Sequence, residues 1–257
     1  MLINFEQQID TAINAAVIAL QKAINQANID GINYMIPAYC SLTIGYNPKV
    51  IEFDILEAVI KQIAAKLFKN NSISSKKNPL KRASRTSSSG SSTDSNNIDK
   101  IENIQHNEGT RLLKIPVCYE APYALDLEAL SKEKGVSKAE IIKLHTNQTY
   151  KVYMLGFLPG FVFMGKVVPK LECNRKVTPR LRVPASSVGI AGFQTGIYPM
   201  ISPGGWQILG RTPLKIFDPK KENPFLFRAG DEVNFYAITS EEYGKIKNEK
   251  ANEITKF

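Results

Sequence analysis

A serine-rich stretch between residues 70 and 97 restricts the fold of this chain more than any other feature. It contains ten serines and only three apolar side chains, Ile73, Leu80 and Ala83. So few apolar groups cannot offset the conformational entropy that the segment would lose on ordering. The sequence therefore predicts a flexible Ser/Lys-rich linker or insertion over residues 70–110, so that one continuous core through all 257 residues is excluded.

The positive charge of the chain is concentrated in the same stretch. Of the net charge of +9, residues 70–97 carry +4, which leaves an ordinary balance for the rest. No aromatic side chains are interleaved with these lysines and arginines, so a nucleic-acid surface is not predicted. No apolar run reaches the length of a membrane span and no signal peptide follows Met1, so we expect a cytoplasmic protein without membrane partners.

Residues 1–69 show the pattern of a small N-terminal α+β domain. Apolar residues recur at helical spacing from Ile9 to Ile24 and from Phe53 to Leu67, whereas residues 42–46 alternate as in a half-buried strand. With short strands near residues 3–5 and 32–36, the predicted order is β-α-β-β-α. A last strand from residues 111–118, across the linker, would complete a ferredoxin-like sandwich.

Residues 111–240 have a different character. A short helix is predicted over Leu127 to Lys134, and Ser137 to Glu140 forms a capping box for another helix that ends near His145. Short apolar strands separated by glycine- and proline-rich loops then predict a compact β-barrel. These strands are placed at residues 150–155, 188–191, 206–209, 214–217 and 233–238, and a C-terminal helix or tail at residues 241–257.

The segment from Thr178 to Thr212 is the richest in groups that bind small acids and amides. Arginine forks bind carboxylates or phosphates, and glutamine and threonine side chains exchange hydrogen bonds with amides. Adjacent glycines let backbone N–H groups approach a ligand. The alternative is that glycine and proline shape barrel corners while the arginines face solvent or pair with acids. The residues concerned are Arg180, Arg182, Gln194, Thr195, Tyr198, Gly204, Gly205, Trp206 and Arg211.

Two single residues also admit both a functional and a structural interpretation. His145 titrates in the range that suits a general acid or base, but a histidine at a helix C-terminus commonly complements the helix dipole. Trp206 follows two glycines and is either a pocket wall or a core residue.

Several other chemistries are not predicted. The run from Gly160 to Val167 approaches a phosphate-binding loop, but valine stands where the magnesium-binding hydroxyl is required. Three widely spaced cysteines and two histidines fit neither a disulfide framework nor a protein metal site.

Several phrases in a fixed order together resemble the family of the 5-oxoprolinase B-subunit, also described as the sensor-kinase inhibitor KipI or allophanate hydrolase subunit 1. The resemblance covers most of residues 110–240, and Ile36 to Leu42 extends it to the N-terminal domain. The phrases are Leu113 to Tyr119, Asp126 to Glu128, Leu144-His145, Gly156 to Phe161, Pro179-Arg180, Val183 to Ala185, Gln194 to Pro199, Ser202 to Trp206, Gly210 to Pro213 and Gly230 to Val233.

This resemblance implies an N-terminal α+β domain joined to a cyclophilin-like β-barrel. It implies one component of an ATP-dependent hydrolase that opens the lactam of 5-oxo-L-proline to L-glutamate, working with the 5-oxoprolinase A-subunit and a homologous, KipA-like C-subunit. ATP, with magnesium, would be bound in the complex, and the isolated chain would be inactive. The alternatives are an inhibitor that binds a sensor histidine kinase through residues 1–69, and a carboxyltransferase-like subunit in allophanate or urea metabolism.

On the same footing, the resemblance suggests roles for the site residues. Arg180 or Arg211 would hold a carboxylate or phosphoryl oxygen, Gln194 and Thr195 would orient the lactam, and His145 would shuttle the proton. Tyr198, Gly204, Gly205 and Trp206 would complete the substrate-binding surface.

One departure from the family pattern lies in the stretch from Val183 to Ser187. The familiar V-P-A-G-S reads V-P-A-S-S here, so that Ser186 stands where glycine is usual. A side chain at such a position strains a turn or narrows a backbone approach. We therefore expect either a strained turn or a narrowed backbone approach at Ser186.

Overall fold

The computed structural model describes residues 1–69 and 111–254, with side chains described through residue 249. It divides the chain into two compact units that lie before and after the serine-rich segment in sequence. The predicted linker over residues 70–110 lies outside the described residues, as do residues 255–257 of the predicted tail.

The N-terminal unit is a three-stranded antiparallel sheet covered by two helices. The sheet has the strand order β1-β3-β2, and the side chains that helices and sheet share form one buried cluster that includes Leu20, Leu42 and Leu56. The first helix begins after Asp10, whose carboxylate accepts hydrogen bonds from two backbone N–H groups of the first turn. The elements are β1 (Leu2–Asn4), α1 (Thr11–Gln26), β2 (Ile32–Pro37), β3 (Ser41–Tyr46) and α2 (Phe53–Lys69).

The strand predicted to complete this sheet belongs to the other unit. Residues Leu112–Cys118 form β4, which runs parallel to Glu232–Ile238 over seven residue pairs and meets Arg211 at Cys118. The prediction of residues 111–118 as the last N-terminal strand is therefore wrong. An apolar strand fits either sheet locally, and here the side chains from Ile115 to Cys118 are buried within the C-terminal unit.

The C-terminal unit contains a closed seven-stranded barrel, which confirms the predicted β-barrel and the mixed α+β class. The strand order around the barrel is β11-β4-β12-β5-β6-β9-β8. The remaining barrel strands are β5 (Thr149–Leu155), β6 (Val162–Gly165), β8 (Ser187–Ala191), β9 (Gln194–Ile197), β11 (Gln207–Arg211) and β12 (Glu232–Ile238).

Three helices accompany the barrel: α3 (Leu127–Lys134), α4 (Lys138–Thr146) and α5 (Ser240–Ile254). The predicted cap of α4 is confirmed, because the Ser137 hydroxyl accepts a hydrogen bond from the Glu140 N–H at 3.1 Å. Leu127, Leu130 and Ile141 bury the inner faces of α3 and α4 against the barrel core. None of the helices in the described part of the chain is both long and apolar enough to cross a bilayer.

The sequence prediction misplaced one strand and missed four. Residues 214–217 form a loop with a single bridge between Phe217 and Phe225 rather than a strand. The missed strands β6, β9, β7 (Arg180–Val183) and β10 (Ser202–Gly204) have three or four residues each. Segments of three or four residues are too short for an alternating apolar pattern to stand out, even where the partner strand is close in sequence, as β8 is to β9. Strands β7 and β10 pair only with each other and form a separate two-stranded sheet, here called the ribbon.

Ser186 has a φ of 64°, in the left-handed region that favours glycine. This φ agrees with the strained turn among the two expectations, and the energetic cost of that strain stays a prediction. The Ser186 hydroxyl donates a hydrogen bond to the Leu214 carbonyl at 2.8 Å, which compensates part of the backbone cost.

Replacing Ser186 separates these two effects. Ser186→Ala keeps the strained backbone and loses the hydrogen bond, so we expect a loss of about 1 kcal/mol of stability. Ser186→Gly loses the same hydrogen bond but relieves strain of about 1 kcal/mol. The glycine variant should therefore have the larger free energy of unfolding in urea denaturation. Equal stability of the two variants would show that the φ of Ser186 carries no strain.

Candidate functional site

The buried charge cluster of the barrel unit centres on Asp126, which directly precedes α3 and is 2% exposed. Its carboxylate accepts hydrogen bonds from both terminal nitrogens of Arg180 at 2.7 and 2.5 Å and from Lys176 Nζ at 3.0 Å. The backbone N–H of Ile208 donates a fourth bond at 2.7 Å. Because Arg180 opens β7, this carboxylate ties the ribbon to barrel strand β11.

The Asp126 carboxyl group is held in its charged form. Burial alone would raise its pKa, but hydrogen bonds from Arg180, the Ile208 N–H and Lys176 outweigh burial and lower the pKa below its ordinary value. One carboxylate thus pairs with two cationic side chains, those of Lys176 and Arg180. The cluster keeps an excess of positive charge, which suits an acidic ligand.

Sequence reasoning did not identify Asp126 as a site residue. An aspartate before a helix ordinarily caps it, yet the Asp126 side chain makes no hydrogen bond to the first turn of α3. Its partners Lys176 and Arg180 lie 50 and 54 residues further along the chain. The position before the helix marks an aspartate of interest, but only the tertiary fold supplies these cations.

Four of the predicted substrate-binding residues meet around the ribbon. Gly204 pairs with Arg180 across it, and a Cβ atom at Gly204 would lie 2.3 Å from the Tyr198 hydroxyl oxygen, so only glycine fits. Burial raises the pKa of Tyr198, although a hydrogen bond from the Trp206 N–H and nearby arginines oppose the shift. Trp206 is 4% exposed and packs 5.4 Å from the Phe161 ring, so it is a core residue.

A surface cavity of about 430 Å³ adjoins this cluster. The Lys176 N–H donates to the Gly205 carbonyl at 2.7 Å, which holds the cavity-lining loop beside the end of the ribbon. The cavity is lined by Glu133, Asn174, Arg175, Lys176, Val177, Thr178 and Gln207. The cationic, hydroxyl and amide groups among them can donate to a small carboxylic acid with an amide group, whereas the Glu133 carboxylate opposes an acidic ligand.

His145 and Thr195 form a second polar cluster, within the barrel core. The His145 Nε2 lies 2.9 Å from the Thr195 hydroxyl and Nδ1 lies 2.8 Å from the Tyr119 hydroxyl. Because the Thr195 hydroxyl donates to the Gly189 carbonyl at 3.1 Å, it accepts from Nε2–H, and Tyr119 donates to Nδ1. The imidazole is fully buried and stacks on Phe235 at 4.7 Å.

This environment keeps the imidazole neutral. Burial lowers the pKa of His145 to about 3, because the charged form has no ionised partner to replace its hydration. At the C-terminal end of α4, the His145 carbonyl accepts a hydrogen bond from the Tyr150 hydroxyl at 3.0 Å, so the neutral imidazole is not needed there. The role of His145 as a proton shuttle remains a prediction, and the observed contacts give it a clear structural role.

Three further candidates remain to be placed. Arg182 is exposed in β7 of the ribbon, whereas Gln194 and Arg211 lie elsewhere on the barrel. Gln194 opens β9 opposite Gly165 and Ala191, next to Thr195 in sequence. Arg211 ends β11, where its Nε donates to the Ala185 carbonyl at 2.7 Å. The predicted site is therefore divided into the ribbon cluster, the buried His145–Thr195 pair with Gln194 beside it, and a separate Arg211.

The fold and the charge cluster define an α+β protein whose closed barrel carries a cationic site at a short ribbon. Comparison with known families gives the particular assignment. The chain belongs to the family of the carboxyltransferase domain, subdomain C and D, whose model matches residues 1–81 and 82–227.

Individual relatives agree with this assignment. The chain is 38% identical over 249 residues to the 5-oxoprolinase B-subunit of Bacillus subtilis, which covers 97% of this chain and 93% of that protein. The crystal structure of TTHA0988 matches with a TM-score of 0.71 at 32% identity over 93% of the chain, which spans 40% of that longer protein. The K. lactis urea amidolyase structure shares the fold alone, with a TM-score of 0.64, 18% identity, and coverage of 96% of this chain and 15% of that one.

Proposed function

We propose that this chain is one component of an ATP-dependent 5-oxoprolinase complex, which opens the lactam of 5-oxo-L-proline to L-glutamate. The observation that carries the proposal is the 38% identity to a 5-oxoprolinase B-subunit over nearly the full length of both chains. The sequence matches to urea amidolyases are distant, at 27% and 29% identity over 56% and 51% of this chain, so they do not favour the alternative role in urea metabolism.

The charges of the ribbon cluster support this choice of substrate. 5-Oxo-L-proline carries one carboxylate and one cyclic amide. Arg180 uses two of its five N–H donors on Asp126, so further donors remain for a substrate carboxylate. Arg175 lines the adjacent cavity and makes no ion pair within the described ranges. We assign the carboxylate to this cationic surface.

Chemically, the reaction adds water across the lactam C–N bond and is coupled to ATP hydrolysis. In our proposal we keep the sequence-based assignment of the amide to Gln194 and of the proton that the ring nitrogen gains to Thr195 and His145, although Thr195 and His145 are buried in the barrel core, apart from the ribbon. His145 would act through Thr195, since its Nε2 contacts that hydroxyl directly. ATP with magnesium binds in the assembled complex, and the isolated chain is inactive. The use of ATP implies a cytoplasmic location.

The barrel and the N-terminal unit also receive finer assignments in this proposal. The barrel is of the cyclophilin-like type. The N-terminal unit has the β-α-β-β-α order of a ferredoxin-like domain within its described residues, which supports the ferredoxin-like type.

An assay with all three subunits tests the proposed activity. The complete mixture should release glutamate and ADP only when 5-oxo-L-proline and ATP are both present, and this chain alone should release neither. Gln194→Ala and His145→Ala should each lower kcat at least about tenfold, because an orienting donor or a proton-transfer group is lost.

The matched control is Gln8→Ala, which removes an exposed amide from the N-terminal unit. It should leave kcat unchanged. Thermal melting of each complex separates loss of chemistry from loss of folding. Full turnover by both site variants would reject this placement of the chemistry, and no glutamate from the complete mixture would reject the activity itself.

One observation keeps the kinase-inhibitor alternative open. On the outer face of the N-terminal sheet, Leu2 and Ile36 flank Thr43 in register and are 59% and 49% exposed, and Tyr34 lies over Gly45. Such an apolar stripe fits a protein partner. Capture of a purified sensor histidine kinase by this chain, with no glutamate formation in the complete mixture, would favour this alternative.

A further inference from the structure

The ribbon and its leading loop expose large apolar side chains. Leu181 in β7 is 84% exposed, Ile201 beside β10 is 56% exposed, and Val177 is fully exposed. Isolated apolar residues are common on protein surfaces, but a group of them on one short element marks a contact site. We call Val177, Leu181 and Ile201 the ribbon face.

The backbone of the ribbon is also incomplete as a sheet. Strands β7 and β10 pair with each other and with no barrel strand, so their outer edges carry unpaired N–H and C=O groups. A two-stranded sheet is only marginally stable alone. Here Val183 and Ser202 are buried opposite each other and Arg180 is bound to Asp126, so the ribbon is held in place. A surface that is already ordered loses little entropy on binding.

A loop that packs on the buried side of the ribbon also exposes an aromatic side chain. Phe157 is 71% exposed and has a φ of 64°, which is unfavourable for a bulky residue. Its ring contacts Phe161 edge to face at 5.9 Å, and Phe161 shares a buried cluster with Val183 of the ribbon. Backbone strain that displays an aromatic side chain to solvent is typical of functional loops.

Positive charge flanks the ribbon face. Arg175 and Arg182 are exposed, and neither makes an ion pair within residues 1–69 and 111–249. Lys176 and Arg180 add further charge that Asp126 neutralises only in part. A complementary partner surface would have an apolar centre and carboxylates at its rim.

We propose that the ribbon face, with Phe157, is the docking surface for another subunit of the same enzyme, one with an apolar centre and an acidic rim. The proposal rests on the proposed function. Another subunit is the favoured occupant for two reasons. The matched relative is itself named as a subunit, and this chain spans only 40% of TTHA0988, in which the same fold is joined to further parts of one longer chain. The cavity beside Arg175 would then lie at the boundary between two subunits, where a partner can complete the site.

The test measures assembly rather than activity. Leu181→Ser combined with Ile201→Ser should weaken the binding of purified partner subunits on the order of 100-fold, because two large aliphatic side chains no longer become buried. Biolayer interferometry with the immobilised full-length chain gives the dissociation constants. Arg182→Glu should weaken binding more at low salt than at high salt, because the new carboxylate would face the acidic rim of the partner and salt screens this repulsion.

Leu112→Ser is the matched control, since Leu112 is 54% exposed on β4 and lies outside the ribbon. It should change the affinity less than about threefold. Circular dichroism melting of each variant confirms that the chain is folded. Unchanged affinity in the folded double variant overturns the proposal.

Two further outcomes keep this proposal distinct from the proposed function. If the double variant loses self-association in sedimentation velocity but keeps its partner affinity, the ribbon face serves a second copy of the chain and the proposal fails. If the wild-type subunits assemble through the ribbon yet release no glutamate, the docking surface stands and the lactam-cleaving function fails.

Discussion

Asp126→Ala should lower the free energy of unfolding by about 3 kcal/mol, the largest effect that we expect from a single substitution. Removing one partner of a buried ion pair leaves the other charges uncompensated, which costs about 3–5 kcal/mol. Arg180 and Lys176 are 26% and 28% exposed, so water recovers part of that cost. The buried Ile208 N–H also loses its acceptor. Urea denaturation followed by circular dichroism measures the change.

Glu128→Ala is the matched control for this prediction. Glu128 lies in the first turn of α3, two residues after Asp126, and pairs with two lysines, Lys132 and Lys138, but it is 61% exposed. Exposed ion pairs contribute little, so the unfolding midpoint should hardly move. Replacing Asp126 and Arg180 together, as in Asp126→Leu with Arg180→Met, should recover part of the loss, because only Lys176, which is 28% exposed, is then left without its carboxylate. Equal effects of Asp126→Ala and Glu128→Ala would contradict the structural importance of the buried cluster.

The second large effect that we expect is a decrease in the free energy of unfolding as the pH is lowered from 6.5 to 3. The pKa of His145 is about 3 in the folded chain and about 6.5 when the chain is unfolded. Above pH 6.5 both states bind no proton there, so His145 adds no pH dependence. Below it the unfolded state alone gains a proton and is favoured, and the loss reaches about 2 kcal/mol at pH 5.

The measurement is the free energy of unfolding at half-unit steps from pH 8 to pH 5. His145→Gln should be less stable throughout, since the contacts with Tyr119 and Thr195 change, but its stability should vary little over this range. His106→Gln is the control, because it removes the only other histidine and should keep the slope. A slope that survives in His145→Gln would show that other groups cause it. Carboxylates such as Asp126 act at lower pH, because the pKa of Asp126 is already depressed.

Local signals in the sequence identified most of the helices and the longer strands. The helix predicted over residues 127–134 coincides with α3, and Ser137 caps α4 as expected. Helical spacing and capping act over a few residues, so the pattern contains what is needed. The family phrase also singles out Ser186, whose positive φ agrees with the expectation of a strained turn.

The site was predicted only in part, because its members depend on distant contacts. Gly204, Tyr198, Trp206 and Arg180 were named as a group and do meet at the ribbon. Asp126 was missed, because its position before a helix does not predict contacts with cations that lie 50 or more residues away in sequence.

The chain by itself determined that two units flank a serine-rich segment, that a barrel follows it, and which residue types are available for an acidic substrate. Only the tertiary structure decided that β4 joins the barrel, that Arg180 is bound to a buried carboxylate, and that His145 is neutral within the core. Composition and periodicity reflect entropy and burial along the chain, which are local. Strand partners, charge pairing and desolvation depend on which distant residues meet, and folding alone brings them together.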